Sequence, residues 1–290
     1  MYDEAFIEYI QAEKRFSPLT VEAYRRDIEQ FAGYLLEVYE TDDLTEVNTA
    51  MAKAFVVWLK EKNMENRSIN RKISTLRTYY KFLLREGRIE KSPMFGIKAL
   101  KTPKTLVKFV TESDINKVSF DGNDFPAKRD QLLFELLYQT GMRQAELRGL
   151  RDTDVDRSGM VLKIHGKRNK DRLVPLSIEM LRLIVQYQAL RNATFAHRAD
   201  RLLLNDKGEE MTASYVYNKV HHLLENVTTL KQKSPHVLRH TFATHLLDEG
   251  ASLVAIQKLL GHSNLATTQV YAHNTIEQLK KIHKQAHPKG

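Results

Sequence analysis

Apolar residues recur every three to four positions along most of this chain, a period that predicts a mainly α protein with a small β component. "SPLTVEAYRRDIEQFAGYLLEVYE" places Ser17 as an N-cap and Pro18 at the first helical position, then keeps the helical period. "NTAMAKAFVVWLKEK" and "NRSINRKISTLRTYYKFLLREG" repeat the pattern, so residues 1–97 read as a bundle of four or five helices. The aromatic residues Tyr24, Phe31, Tyr34, Phe55, Trp58, Tyr79 and Phe82 read as its core rather than as a base-stacking platform. The period then breaks in "SPMFGIKALKTPKTLVKFVT", and residues 98–110 read as a basic linker suited to wrapping a phosphate backbone. Thr111 and Asp114 approximate a capping box and open a second domain over residues 111–274.

That second domain mixes two periods and reads as α+β. "FPAKRDQLLFELLYQTG" is a helix stopped by Gly141. "VLKIHGKRNKDRLVPL" alternates on both sides of the turn "KRNK", a hairpin signal. Helices follow over about 177–192 and 212–225, then "HVLRHTFATHLL", "SLVAIQKLLGH" and "NLATTQVYAH". Residues 275–290 form a tail with Ile276, Leu279 and Ile282 on one side, too short to be a stable helix without a surface to cover.

Charge changes the picture more than composition does. The formal net charge is +9, but residues 1–50 hold 4 Lys/Arg against 12 Asp/Glu, and residues 51–100 hold 12 against 4. Arg67, Arg71, Lys72, Arg77, Lys81 and Arg85 recur at helical spacing. Such a stripe is either a solvated face or a surface for a polyanion such as duplex DNA. No apolar run approaches the roughly 18 residues of a membrane span. The N-terminus lacks the basic start and apolar centre of a signal peptide, so a cytoplasmic location is expected. With no cysteine, disulfides and thiolate zinc sites are excluded.

The densest candidate chemistry is "HVLRHTFATHLL", residues 236–247. His236 and His240 have the spacing of a metal-binding pair, but Arg239 shares their face and its fixed charge repels a cation. Leu238, Phe242, Leu246 and Leu247 read as an apolar stripe, with His240 or His245 as satisfied buried groups. An arginine fork beside an imidazole instead suits a phosphate: the fork meets two oxygens and the imidazole moves a proton. More positive charge is available to such a cradle. In "TGMRQAELRGL", Arg143 begins a helix with Glu146 three residues on, either a helix-start salt bridge or a carboxylate that holds a guanidinium rigid. Lys167 sits at the hairpin tip, His262 follows a glycine in "LLGHSN", and Tyr271 comes nine residues later.

Taken in order, "SPLTVEAYRRDIEQF", "TGMRQAELRGL", "HGKRNKDRLVPL" and "HVLRHTFATHLLDEGASLVAIQKLLGHSNLATTQVYAH" resemble the tyrosine site-specific recombinases of the phage-integrase superfamily, and within them the Xer type. The likeness spans essentially the whole chain. It implies a SAM-like core-binding helical bundle followed by an α+β catalytic domain. It also implies Arg143 and Arg239 as the catalytic arginines, Lys167 as the hairpin lysine, His236 and His262 as the two histidines and Tyr271 as the nucleophile. Arg168 departs from the glycine that relatives often carry after the lysine, and Asn169 is then the residue left to supply a positive φ. The implied activity is cutting and rejoining DNA through a 3′-phosphotyrosyl link, with no metal or nucleotide cofactor. The implied partners are a DNA site of two half-sites, a homo- or hetero-tetramer with a related recombinase, a tail exchanged between protomers, and an FtsK-type translocase. A chromosome-dimer resolvase acting at a dif-like site is expected. A mobile-element integrase, a type IB topoisomerase and a relative that binds DNA without cutting are the alternatives.

Overall fold

A computed structural model describes residues 4–102, 109–166 and 171–261, and divides the chain into two compact units, Met1–Thr105 and Leu106–Gly290. Lys167, His262, Tyr271 and the tail 275–290 lie outside the described residues. Among the described residues no helix is long and apolar enough to cross a membrane.

The first unit is helical throughout. Helix α1 (Glu4–Glu8) continues as a π-turn over Tyr9–Glu13, and α2 (Pro18–Tyr39), α3 (Thr49–Glu61) and α4 (Asn66–Arg85) follow. The sequence starts α2 as expected: Ser17 Oγ accepts the Thr20 N–H at 3.3 Å and Pro18 sits in the first turn. Asn48 caps α3 the same way, accepting from Met51 N at 3.0 Å. Aromatic rings fill the centre. Phe6 meets Tyr79 edge-on at 5.0 Å, and Phe31 and Tyr34 both pack on Phe55, at 4.8 and 5.1 Å. These side chains are buried together with Phe82, as their spacing suggests, while Tyr24 and Trp58 pack at the margin.

The basic stripe on α4 divides in a way the sequence does not show. Lys72 is buried, and its ammonium donates to Asp27 Oδ1 at 2.7 Å. Asp27, fully buried on α2, also accepts from Arg71 and from Thr75 Oγ1 at 2.8 Å. Arg77 donates to the Ile97 carbonyl, and Arg85 pairs with Glu13 at 2.7 Å while lying over the Tyr9 ring at 4.2 Å. Lys72 is therefore an interhelical tie and not a contact to an outside polyanion: a carboxylate 45 residues earlier in the chain holds it inside. Arg71 and Arg77 are also engaged within the unit, though both remain exposed at the surface. Arg67 and Lys81 are exposed and have no partner among the described residues.

The linker differs from the sequence reading at its start. Asn70 brackets Leu100, accepting its N–H at 2.8 Å and donating to its carbonyl at 2.9 Å, and Asn66 donates to the Lys101 carbonyl at 2.7 Å. One side-chain amide that satisfies both backbone polar groups of a residue fixes an otherwise aperiodic segment. Residues 98–101 thus belong to the first unit. At the other end, Val110 is buried in the second unit and donates its N–H to Thr241 Oγ1 at 3.0 Å.

The second unit is built around α6 (Phe125–Thr140), whose residues Leu132–Thr140 are all buried. After the short α5 (Glu112–Ile115) and α6 come α7 (Gln144–Gly149) and three antiparallel strands, β1 (Val155–Asp156), β2 (Val161–His165) and β3 (Asp171–Pro175), in the order β1-β2-β3. The expected hairpin is β2–β3, with Ile164 opposite Arg172 and His165 opposite Asp171. The two-residue β1 is too short to leave a period in the sequence. Helices α8 (Ile178–Thr194), α9 (Ala213–Glu225), α10 (Pro235–Asp248) and α11 (Leu253–Leu260) complete the layer around α6. Fully buried Arg191 pins the end of α8, forking onto Asp152 at 2.9 and 2.8 Å and reaching the Leu202 carbonyl at 2.7 Å.

Asp27→Ala leaves the Lys72 ammonium buried without its carboxylate and should destabilise the first unit by about 3–5 kcal/mol. Urea unfolding followed by the fluorescence of Trp58, the one tryptophan of the chain, measures this directly. A midpoint equal to wild type would show that the ion pair does not hold the bundle.

Candidate active site

Three arginines from three elements gather around one carboxylate. Arg143 is the N-cap of α7; its own N–H donates to Glu146 Oε2 at 2.8 Å, and its Nη1 donates to Glu146 Oε1 at 2.8 Å. The three-residue spacing thus does two jobs: it closes the first turn of α7 and aims the guanidinium. Arg172 arrives from β3 and forks onto the same carboxylate, Nη2 to Oε2 at 2.7 Å and Nη1 to Oε1 at 3.1 Å. Arg239, one turn into α10, is buried and gives its donors to backbone: Nη1 to the Gly141 carbonyl at 2.5 Å and Nη2 to the Leu260 carbonyl at 2.8 Å.

Those carbonyls lie at the C-terminal ends of α6 and α11, where helical carbonyls lack intrahelical partners and the helix dipole favours a cation. Glycines make the approach possible. Gly141 ends α6 at φ +57°, and a Cβ there would fall 2.4 Å from Phe242 Cδ1. A side chain at that turn would push α10 away and take Arg239 with it.

Electrostatics fixes the protonation states. Burial pushes the Glu146 carboxyl upward, but the Arg172 fork and the Arg143 backbone and side chain outweigh it and hold the group below the ordinary carboxylate range. Burial and the neighbouring Arg143 and Arg172 charges lower Arg239 to about 10, with Glu146 opposing the drop. Arg239 therefore stays a cation at neutral pH, about three units below its midpoint. Three positive charges against one negative leave the cluster with a net excess suited to an anion. His236 is exposed three residues before Arg239, at the start of α10.

His245, two turns further along α10, is a core group. Its Nδ1 lies 3.0 Å from the buried Tyr138 hydroxyl, and its ring meets Phe109 edge-on. Leu247 does not continue the apolar stripe inward, since half of its surface is exposed.

Arg172 is the participant that sequence reading missed. The signal lies in the alternation of "DRLVPL": Arg172 is in phase with the inward Val174, and an arginine on the inner face of a strand needs a buried partner. Among the catalytic residues expected from the sequence, Arg143, Arg239 and His236 lie within the described part of the chain. Arg143 bonds to Glu146, and Arg239, fixed on the Gly141 and Leu260 carbonyls, feels the charges of both.

Comparison with known proteins fits this arrangement. Residues 108–278 match the model of the phage integrase family, and residues 4–87 match the N-terminal SAM-like domain of phage integrases. The chain belongs to that family. It is 36% identical to tyrosine recombinase XerC of Oceanobacillus iheyensis, over 100% of this chain and 97% of the relative. It is 37% identical to the XerC of Bacillus pumilus, over 98% and 95%. Among solved structures, a XerH site-specific recombinase bound to palindromic difH substrate, in a post-cleavage complex, aligns with a TM-score of 0.70. That alignment covers 96% of this chain and 82% of the other at 21% identity, a likeness of fold. The chain is a tyrosine recombinase similar to XerC.

Burial lowers the His245 pKa from its ordinary value near 6.5 and outweighs the pull of the Val110 backbone, Glu112, Asp248 and Glu249. The unfolded chain therefore takes up a proton near pH 6.5 that the fold resists. Stability contributed by neutral His245 is complete above that pH and declines as the pH falls toward its lower folded value. In thermal melts from pH 7.5 to 5.5, His245→Gln should lose less stability on acidification than wild type. Parallel curves would show that His245 titrates as freely in the fold as in the unfolded chain.

Proposed function

We propose that Arg143 and Arg239 of the arginine cluster bind the scissile phosphate of duplex DNA and that Tyr271 attacks it. The phenol oxygen forms a bond to phosphorus, the bond to the 5′ oxygen breaks, and a 3′-phosphotyrosyl link remains beside a free 5′ hydroxyl. Charge accumulates on the non-bridging oxygens in the pentavalent transition state, and planar guanidinium forks suit it better than an ammonium. Arg143 and Arg239 meet that charge. His236 takes the phenol proton, because a tyrosine with a pKa near 10 is mostly protonated at neutral pH. Lys167 protonates the leaving 5′ oxygen, and His262 hydrogen-bonds the phosphate. The covalent link conserves the energy of the broken bond, so a 5′ hydroxyl from a partner strand reverses the attack without nucleotide hydrolysis or a metal.

The observation that carries this reading is Arg239: a buried cation, kept protonated, fixed on backbone carbonyls and joined by two further arginines at one carboxylate. With three guanidinium charges near one carboxylate, the cluster keeps a positive surplus that suits an outside anion. The full-length likeness to XerC proteins supports resolution of chromosome dimers at a dif-like site over insertion of a mobile element. On this reading four protomers act on two short sites, with a second, related recombinase and an FtsK-type translocase in the cytoplasm. The tail 275–290 docks on the next protomer. Residues 1–97, with the segment 98–101 bonded to α4, form the core-binding domain and 111–274 the catalytic domain. Arg67 and Lys81, the basic residues of α4 without a partner among the described residues, are the phosphate contacts of the first unit.

The test is covalent capture. Bound sequences are selected from random duplex DNA, and the winner is rebuilt with a nick that traps the adduct on a denaturing gel. Wild type should form the adduct in the presence of chelator. Tyr271→Phe should bind the same duplex with unchanged affinity and form none. Adduct persisting in Tyr271→Phe moves the nucleophile elsewhere, and a wild type that binds without any adduct is a non-cutting relative.

A further inference from the structure

Arg172 belongs to the arginine cluster, yet its donors face the wrong way for a phosphate. Two of its N–H groups go to Glu146, and Nε donates to the Leu259 carbonyl at 2.7 Å. Its side chain is 9% exposed, against 33% for Arg143, which spends one guanidinium N–H on Glu146. Arg143 thus retains donors for a ligand, and Arg172 is committed to the protein.

Three elements meet at this one side chain: β3 carries it, α7 offers Glu146, and the last turn of α11 offers Leu259. Gly261 closes α11 at φ +67°, and a Cβ there would come within 3.2 Å of Arg172 Cδ, so the chain passes tightly over the arginine stem. From Gly261 the sequence runs on to His262 and Tyr271.

We propose that Arg172 is a positioning residue for strand cleavage, fixing the plane of the Glu146 carboxylate that aims Arg143 and holding the end of α11 to it. The proposal rests on the cleavage reading above. A carboxylate gripped only by the Arg143 N–H groups can rotate; a bidentate fork from the opposite side removes that freedom. Arg172 also divides the labour of charge. The groups facing Glu146 are Arg143 from α7, Arg172 from β3 and Arg239 from α10. With Arg172 absorbed by the carboxylate, the charges of the other two are left for the phosphate, Arg239 with the N–H donors that Gly141 and Leu260 do not take.

The experiment compares wild type with Arg172→Lys, Arg172→Gln, Glu146→Gln and the double variant R172Q/E146Q, all as full-length chains. Each is measured for binding to the selected duplex, for thermal melting, and for single-turnover adduct formation on the nicked duplex across pH 5–9. Arg172→Gln should bind DNA as wild type does and cleave about 10- to 100-fold more slowly. The acid limb of its rate profile should move to higher pH, because Glu146 has lost a cation that keeps it ionised. Arg172→Lys should return the limb toward wild type but not the full rate, since one ammonium cannot span Glu146 and Leu259 together. In the Glu146→Gln background the further loss from Arg172→Gln should be small, because both changes cut the same link.

A residue that served only the fold would lower melting without moving the acid limb. Arg172→Gln cleaving at the wild-type rate with the limb in place overturns the proposal. So does a loss that multiplies in full with Glu146→Gln. Should Arg172→Gln not fold, a folded Arg172→Lys with wild-type cleavage overturns it equally. A wild type that forms no adduct refutes the cleavage reading itself, and the positioning role falls with it.

Discussion

The site depends on a single buried carboxylate. Arg143 and Arg172 both bond to Glu146, and Arg239 stands close enough that their charges add to burial in lowering its pKa to about 10. Like charges gather in this way only if something offsets their repulsion in the absence of a ligand. Glu146 supplies one negative charge, and the carbonyl ends of α6 and α11 supply partial ones at Gly141, Leu259 and Leu260. The compensation is incomplete, and on the proposed reading the remaining positive potential is what an incoming phosphate meets. No reorganisation is then needed when charge develops in the transition state, the condition under which fixed dipoles accelerate a reaction most.

How much of this could be read from the sequence follows from how local each signal is. Ser17 with Pro18, Gly141 after an apolar period, and the alternation around "KRNK" are contiguous patterns, and each element formed where they place it. Arg143 and Glu146 sit three residues apart in one turn, so their pairing was also legible. Arg172 lies 26 residues from Glu146, and only its inward phase on β3 hints at the contact. The anchors of Arg239 are backbone carbonyls, which carry no side-chain signature at all. Lys72 shows the opposite failure. On α4 it repeats with the other basic residues as if on one surface, but Asp27 on α2 draws it inside. Composition alone does not separate a basic face from a basic helix that stitches a bundle together.

The two units carry different kinds of information. The first is held by an aromatic core and a buried ion pair, and its cations Arg67 and Lys81 are exposed. In the second, α6 is buried over Leu132–Thr140 and acts as the post against which α7, α8 and α10 are set. Membership of the phage integrase family rests on matches to both units, and the relatives at 36–37% identity extend over nearly the whole chain. The structural likeness at 21% identity independently supports the fold.

The central claim is that Arg239 acts as a fixed cation on the reacting phosphate and not only as a structural tie between α6, α10 and α11. Arg239→Lys preserves the charge and the length of the side chain but removes the fork, so the two roles separate in one comparison. Single-turnover cleavage of the nicked duplex, measured beside equilibrium binding of the same duplex and thermal melting, is the deciding measurement. A fall in cleavage on the order of 100-fold or more, with affinity and melting close to wild type, is the predicted result. Cleavage at the wild-type rate, or a loss that follows melting in proportion, would contradict it.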